Sequence, residues 1–90
     1  MKTVTVGKTK KLYDSSSFAV ANHILGKTLL PPFWIVLEKD GEVEMKVMEE
    51  SIIDGNTVYK VNIPGTKLNL WVLKTDCSKI REEKTTHNSI

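Results

Sequence analysis

Apolar and polar positions alternate most regularly between Thr57 and Lys74. The pattern predicts one β-hairpin, with strands Thr57–Ile63 and Thr66–Lys74 flanking a Pro64-Gly65 turn. A two-residue loop would set Ile63 opposite Thr66, Val61 opposite Leu68, Tyr59 opposite Leu70 and Thr57 opposite Val72. Directly opposite residues share a face, so these would make one apolar side. The other side would hold Asn62 opposite Lys67, Lys60 opposite Asn69, and Val58 opposite Trp71.

Elsewhere the pattern predicts shorter elements. Thr3 to Val6 is β-branched throughout and alternates, which predicts a strand. Asp14-Ser15-Ser16-Ser17 supplies helix-capping side chains, and Phe18 to Leu25 has helical spacing. The expected inner face is Phe18, Ala21 and Leu25, widened by Val20 and Ile24, with His23 near its polar edge. Gly26 suits the left-handed position just past the end. Pro31-Pro32 enforces an extended connection. Phe33 to Leu37 is apolar on both sides of the pleat, the signature of a central strand covered on both faces. Asp40-Gly41 is a type I′ hairpin dipeptide, so Glu42 to Met48 is expected to return against it. That register puts Ile35 and Leu37 among charges, which marks either a partly covered face or a shift of one residue. Asp54-Gly55-Asn56 is a further turn. Past Lys74, Asp76 or Ser78 would cap a short helix to Lys84, anchored only by Ile80.

The expected fold is therefore α+β. It has a small, strongly bent antiparallel sheet of four or five strands and one short helix around residues 16–25. An SH3-like barrel is one form of it, and an open sheet with the helix across one face is the other. Residues 1–84 are expected to form a single domain and 85–90 a frayed tail.

Composition narrows the function. No apolar run approaches the roughly 20 residues that span a bilayer, and Met1-Lys2-Thr3-Val4 has no secretory h-region. Cys77 is the only cysteine, so no disulfide framework or cysteine metal cage is expected, and a cytoplasmic setting fits. The net charge of +2 carries no argument for nucleic acid by itself. Its distribution runs basic over residues 1–39, acidic over 40–54, and basic again to Lys74. This describes either ordinary solvated faces or a dipolar surface that orients a charged partner.

Candidate chemistry is sparse. Ala21 to Thr28 has the spacing of a phosphate-binding loop, but the helix precedes the glycine instead of following it. Gly7-Lys8-Thr9-Lys10-Lys11-Leu12-Tyr13 resembles the opening strand motif of SAICAR synthetases. Those enzymes are several times longer with an ATP-grasp-like fold, and nothing downstream matches. The resemblance implies only a strand, glycine, basic run and strand, and assigns no site residue. Cys77 and His87 have nothing to orient them as nucleophile and base. His23 and His87 lack metal-ligand spacing. No enzymatic activity, cofactor or metal is expected.

The feature that points to function is the polar side of the hairpin. Trp71, Lys60, Lys67, Asn62 and Asn69 form a candidate partner-binding surface, because indoles dominate binding hot spots. The expected function is a non-enzymatic module that engages, and inhibits or modulates, a larger macromolecule, foremost a protein. Small phage- and plasmid-encoded inhibitors share this size and composition, an analogy without a family match. The alternative is RNA or single-stranded DNA binding, with Trp71 stacking on a base and Lys8, Lys10, Lys11, Lys60 and Lys67 facing phosphates. A homodimer through an uncovered edge strand, or through the doubly apolar strand 33–37, is a third reading. A Trp71 covered inside the fold would remove the surface.

Overall fold

A computed structural model describes residues 1–27 and 29–82. The elements are β1 (Lys2–Val6), β2 (Lys11–Leu12), α1 (Ser16–Leu25), β3 (Trp34–Ile35), β4 (Val43–Ile53), β5 (Asn56–Asn62), β6 (Asn69–Leu73) and β7 (Cys77–Glu82). Five strands form one antiparallel sheet in the order β6-β5-β4-β1-β7, and β2 pairs with β3 in a separate ribbon. The mixed α+β class is as expected. Neither sheet closes on itself among the described residues, so the SH3-like barrel is not seen. The tail expected over 85–90, with His87, lies outside the described residues.

The 57–74 hairpin forms with its faces as expected but its register displaced by two. Lys60 lies opposite Trp71, Tyr59 opposite Val72, Val61 opposite Leu70 and Asn62 opposite Asn69. The turn chemistry explains this. Pro64 and Gly65, the latter at φ +80°, occupy the middle of a turn closed by the Thr66 N–H donating to the Ile63 carbonyl at 3.0 Å. Proline followed by a left-handed glycine suits a type II turn, which splays strands. The loop therefore extends to Leu68, whose carbonyl accepts the Ile63 N–H at 2.9 Å. A shift of two leaves every side chain on its original face, whereas a shift of one would have inverted them all.

The sheet has apolar groups on both sides. On one side Val4, Val6, Met45, Tyr59, Val61, Leu70 and Val72 pack with Leu12 and Val36 from the β2–β3 segments. On the other, α1 lays Ala19 and Val20 over Val58 and Leu73, with Tyr13. Adjacent residues Leu12 and Tyr13 thus supply opposite cores, as extended backbone requires. Tyr13 also pairs with β6: its N–H donates to the Trp71 carbonyl at 2.9 Å, and the Trp71 N–H donates back at 2.6 Å.

Three expectations are corrected. Phe33 to Leu37 is not a doubly covered central strand paired with Glu42 to Met48. Only Trp34–Ile35 is strand, paired with β2, and Phe33 and Leu37 are 57% and 49% exposed. The reason is local. The Asp40 carboxylate accepts the Leu37 N–H at 3.1 Å and turns residues 38–40 into a 3₁₀ turn in place of a hairpin. The released β4 runs on to Ile53 and pairs with β1 and β5. Next, the C-terminal segment is not a helix from Asp76 or Ser78. It makes a 3₁₀ turn and then β7 along β1, because one apolar anchor cannot hold a short helix while the β1 edge offers a full set of partners. Finally, α1 has its expected bounds and a left-handed Gly26 cap, but not its expected inner face. Ala19, Val20 and Asn22 are buried, while Phe18, Ile24 and Leu25 are exposed.

The rotation follows Asn22, which is 6% exposed. Its Nδ2 donates to the Tyr13 hydroxyl at 2.9 Å and the Leu30 carbonyl at 2.7 Å. Its Oδ1 accepts the N–H groups of Leu29 and Leu30, both at 3.0 Å. Four hydrogen bonds to one amide outweigh the gain from turning Leu25 or Ile24 inward.

Thr9 carries strain, with φ +68°. A β-branched residue in this left-handed region costs on the order of 1–3 kcal/mol. Its N–H, donating to the Val36 carbonyl at 2.7 Å, holds it there. Thr9→Gly should therefore raise the unfolding free energy by about 1 kcal/mol, after the extra unfolded-state freedom of glycine is subtracted. Urea unfolding reads this directly, and an unchanged midpoint would show the backbone to be relaxed.

Candidate functional site

The outer part of the hairpin is where the predicted surface residues meet. Helix α1 covers the Val58–Leu73 end of the β5–β6 face and leaves the Asn62–Asn69 end open. Lys60, Asn62, Asn69 and Trp71 lie there at intermediate exposure, as two cross-strand pairs. The Lys60 ammonium sits 5.9 Å from the centroid of the Trp71 ring, within cation–π range. It is also 4.0 Å from the Glu49 carboxylate. Asn62 Nδ2 donates to Asn69 Oδ1 at 3.1 Å and to the carbonyls of Thr66 and Leu68 at 3.1 and 3.3 Å. Trp71 packs against the second core, so the indole is neither sealed in nor free. Lys67 is exposed in the loop, with no ion pair to a described residue.

The other candidate lysines lie elsewhere. Lys8 is 3.7 Å from Glu38 and Lys10 is 3.9 Å from Asp76. Lys10 and Lys11 line a cleft whose walls include none of the five hairpin residues. The basic, acidic, basic charge sequence also resolves in space. Acidic β4 lies between β1 and β5, so Lys2 meets Glu50 at 2.7 Å and Lys60 meets Glu49, while Arg81 of β7 reaches Glu44 at 3.4 Å. The hydrogen bond to Glu50 raises the Lys2 pKa. Exposed pairs of this kind contribute little stability individually, typically about 0–1 kcal/mol, and they offset three of the acids of the block, Glu44, Glu49 and Glu50.

The phosphate-loop spacing does not make a phosphate cradle. The Gly26 N–H ends the helix by donating to the Asn22 and His23 carbonyls at 3.0 and 3.2 Å. Burial pushes the Cys77 thiol up to about 12, so it is protonated near neutral pH and is not a prepared nucleophile. Among the described residues no group of three or more His, Cys, Asp and Glu side chains could hold a metal ion. Nor is any helix among them long and apolar enough to cross a membrane.

The doubly apolar 33–37 segment, which the sequence offered as a self-association surface, is exposed on one side instead of covered on both. Leu29, Phe33, Ile35 and Leu37 stand exposed along the segment after α1. Their apolar run is the same signal as that of a buried strand, and only the pairing partner distinguishes the two. Compared with the known protein families, the curated proteins and the solved structures, the chain matches none of them.

Proposed function

We propose that this chain is a non-enzymatic binding module that engages a larger protein through the open end of the β5–β6 face and modulates or inhibits it. The observation that carries the reading is Lys60 stacked on a half-buried Trp71, beside the Asn62–Asn69 pair. The core and the Tyr13 backbone bridge hold the indole in place, so docking on it costs little side-chain entropy. An indole is among the side chains most enriched in protein hot spots. The lone, protonated Cys77 is compatible with a reducing compartment such as the cytoplasm.

RNA or single-stranded DNA fits this face less well. Lys60 covers one side of the ring that a base would use, and the core packs against the residue as well. Three of the five proposed phosphate contacts, Lys8, Lys10 and Lys60, already lie within 4.0 Å of a carboxylate.

The test is affinity capture from host lysates treated with nuclease, followed by titration of the captured protein. Lys60→Ala leaves the fold intact, and Trp71→Ala removes the anchor. A stoichiometric protein should be retained, with affinity down about 30-fold in Trp71→Ala and several-fold in Lys60→Ala. Equal binding by wild type and both variants overturns the proposal. So does retention of nucleic acid alone with steep salt dependence.

A further inference from the structure

We infer a second, separate binding site, for a small phosphate-bearing ligand, in the cleft between the last turn of α1 and the Thr9–Tyr13 segment. Its volume is about 350 Å³, at the lower end of the range that small-molecule sites occupy. Ala19 and Leu73 provide apolar wall, and three lysines, Lys10, Lys11 and Lys27, line it together with His23. Among the described residues Asp76 is the only carboxylate in the lining. It lies 3.9 Å from Lys10, beyond hydrogen-bond distance, so it offsets one ammonium at most. Lys11 and Lys27 have no carboxylate within ion-pair distance among the described residues.

One effect opposes an anion here. A helix C-terminus presents the equivalent of roughly half a negative charge. The Gly26 N–H already engages two of the last carbonyls of α1, those of Asn22 and His23. With Lys10 set against Asp76, half a charge does not cancel the two ammonium groups of Lys11 and Lys27, so the cleft retains a positive potential.

The wall also includes a hydroxyl. Tyr13 is 4% exposed, and its hydroxyl accepts a hydrogen bond from Asn22 at 2.9 Å. Its own proton has no acceptor among the described residues. That hydroxyl proton can therefore turn to a ligand oxygen. The cations are all lysines. Their ammonium groups act as point charges, which suits the several oxygens of a phosphate better than the planar fork of a carboxylate. Strained Thr9 stands at the rim, its hydroxyl a further donor.

The experiment is titration of the isotope-labelled full chain with pyrophosphate, followed by amide shifts in two-dimensional NMR. Saturable shifts at Thr9, Lys11, Gly26 and Lys27 should give a Kd of about 1 mM or below. Lys11→Ala with Lys27→Ala should weaken binding by about tenfold or more, as loss of charge-assisted hydrogen bonds does. Lys79→Ala, an exposed β7 lysine outside the cleft, should leave it unchanged. Non-saturating shifts spread over all lysines overturn the inference, as does equal binding by the double variant. Citrate bound as tightly as pyrophosphate rejects the phosphate assignment. An oligonucleotide bound far tighter, and weakened by the same substitutions, rejects the small ligand. Lys60→Ala, on the hairpin face and outside the cleft lining, should not move any of these values, so this site and the hairpin face succeed or fail separately.

Discussion

Asn22→Leu should lower the unfolding free energy by about 3 kcal/mol, although the two side chains have the same number of heavy atoms and the same branching. The leucine leaves the Leu29 and Leu30 N–H groups, the Leu30 carbonyl and the Tyr13 hydroxyl without their partner. Each buried group left unpaired costs about 1–3 kcal/mol, and water reaching the part-buried 29–30 segment recovers some of that. For a chain of this size the loss corresponds to a melting point lower by about 15 °C. Urea unfolding provides the free energy, and amide exchange at Leu29 and Leu30 locates it. A change below about 1 kcal/mol, with exchange unaltered, would show that the apolar packing of Ala19 and Val20 alone seats the helix.

Tyr59→Ala should cost about 4 kcal/mol, in the range of large aromatic truncations that leave a cavity. Tyr59 is 2% exposed in the larger core, opposite Val72 on one side and Glu50 on the other. The Lys2 ammonium lies 5.2 Å from its ring centroid, so truncation also strips a contact from the β1 end of the sheet. Tyr59→Phe separates ring from hydroxyl. It should change stability at neutral pH by less than about 1 kcal/mol, because the hydroxyl has no hydrogen-bond partner among the described residues. The two proteins should diverge in alkali. Burial raises the Tyr59 pKa above the ordinary value near 10, so the folded state holds that proton more tightly than the unfolded chain. The stabilisation is complete below about pH 10 and is lost as pH rises through the folded-state value. The wild type should therefore weaken more than Tyr59→Phe above pH 10. Both retain the parallel alkaline loss from Cys77. Identical profiles would place the Tyr59 hydroxyl in water.

Residues whose structure depends on near neighbours were readable from the chain. The alternation of β5 and β6 and the left-handed Gly26 follow from local backbone preference. The serine run does mark the start of α1, but Ser15 makes no side-chain cap hydrogen bond there. The hairpin surface was readable too, since Lys60, Asn62, Asn69 and Trp71 occupy one face in any register displaced by two. The cation–π contact was not readable, because it depends on whether Trp71 faces Lys60 or Val58.

Partner choice was out of reach. Asp40-Gly41 carries a hairpin signature, yet the Asp40 side chain caps a 3₁₀ turn and β4 joins β1 and β5 instead. The segment after Lys74 has no strand pattern of its own and becomes one because β1 has an open edge. The cleft gathers residues from the 9–13 segment, α1 and the turn after β6, and no spacing along the chain announces that meeting.

By itself, then, the order of residues determined which side chains share a face and where the backbone must turn, because pleat, helical pitch and glycine conformation act over a few neighbouring residues. The tertiary structure alone decided which strand lies beside which, which face of α1 turns inward, and where the lysines collect. Those outcomes depend on distant backbone groups competing for the same hydrogen bonds, and a single buried amide, that of Asn22, was enough to redirect a helix.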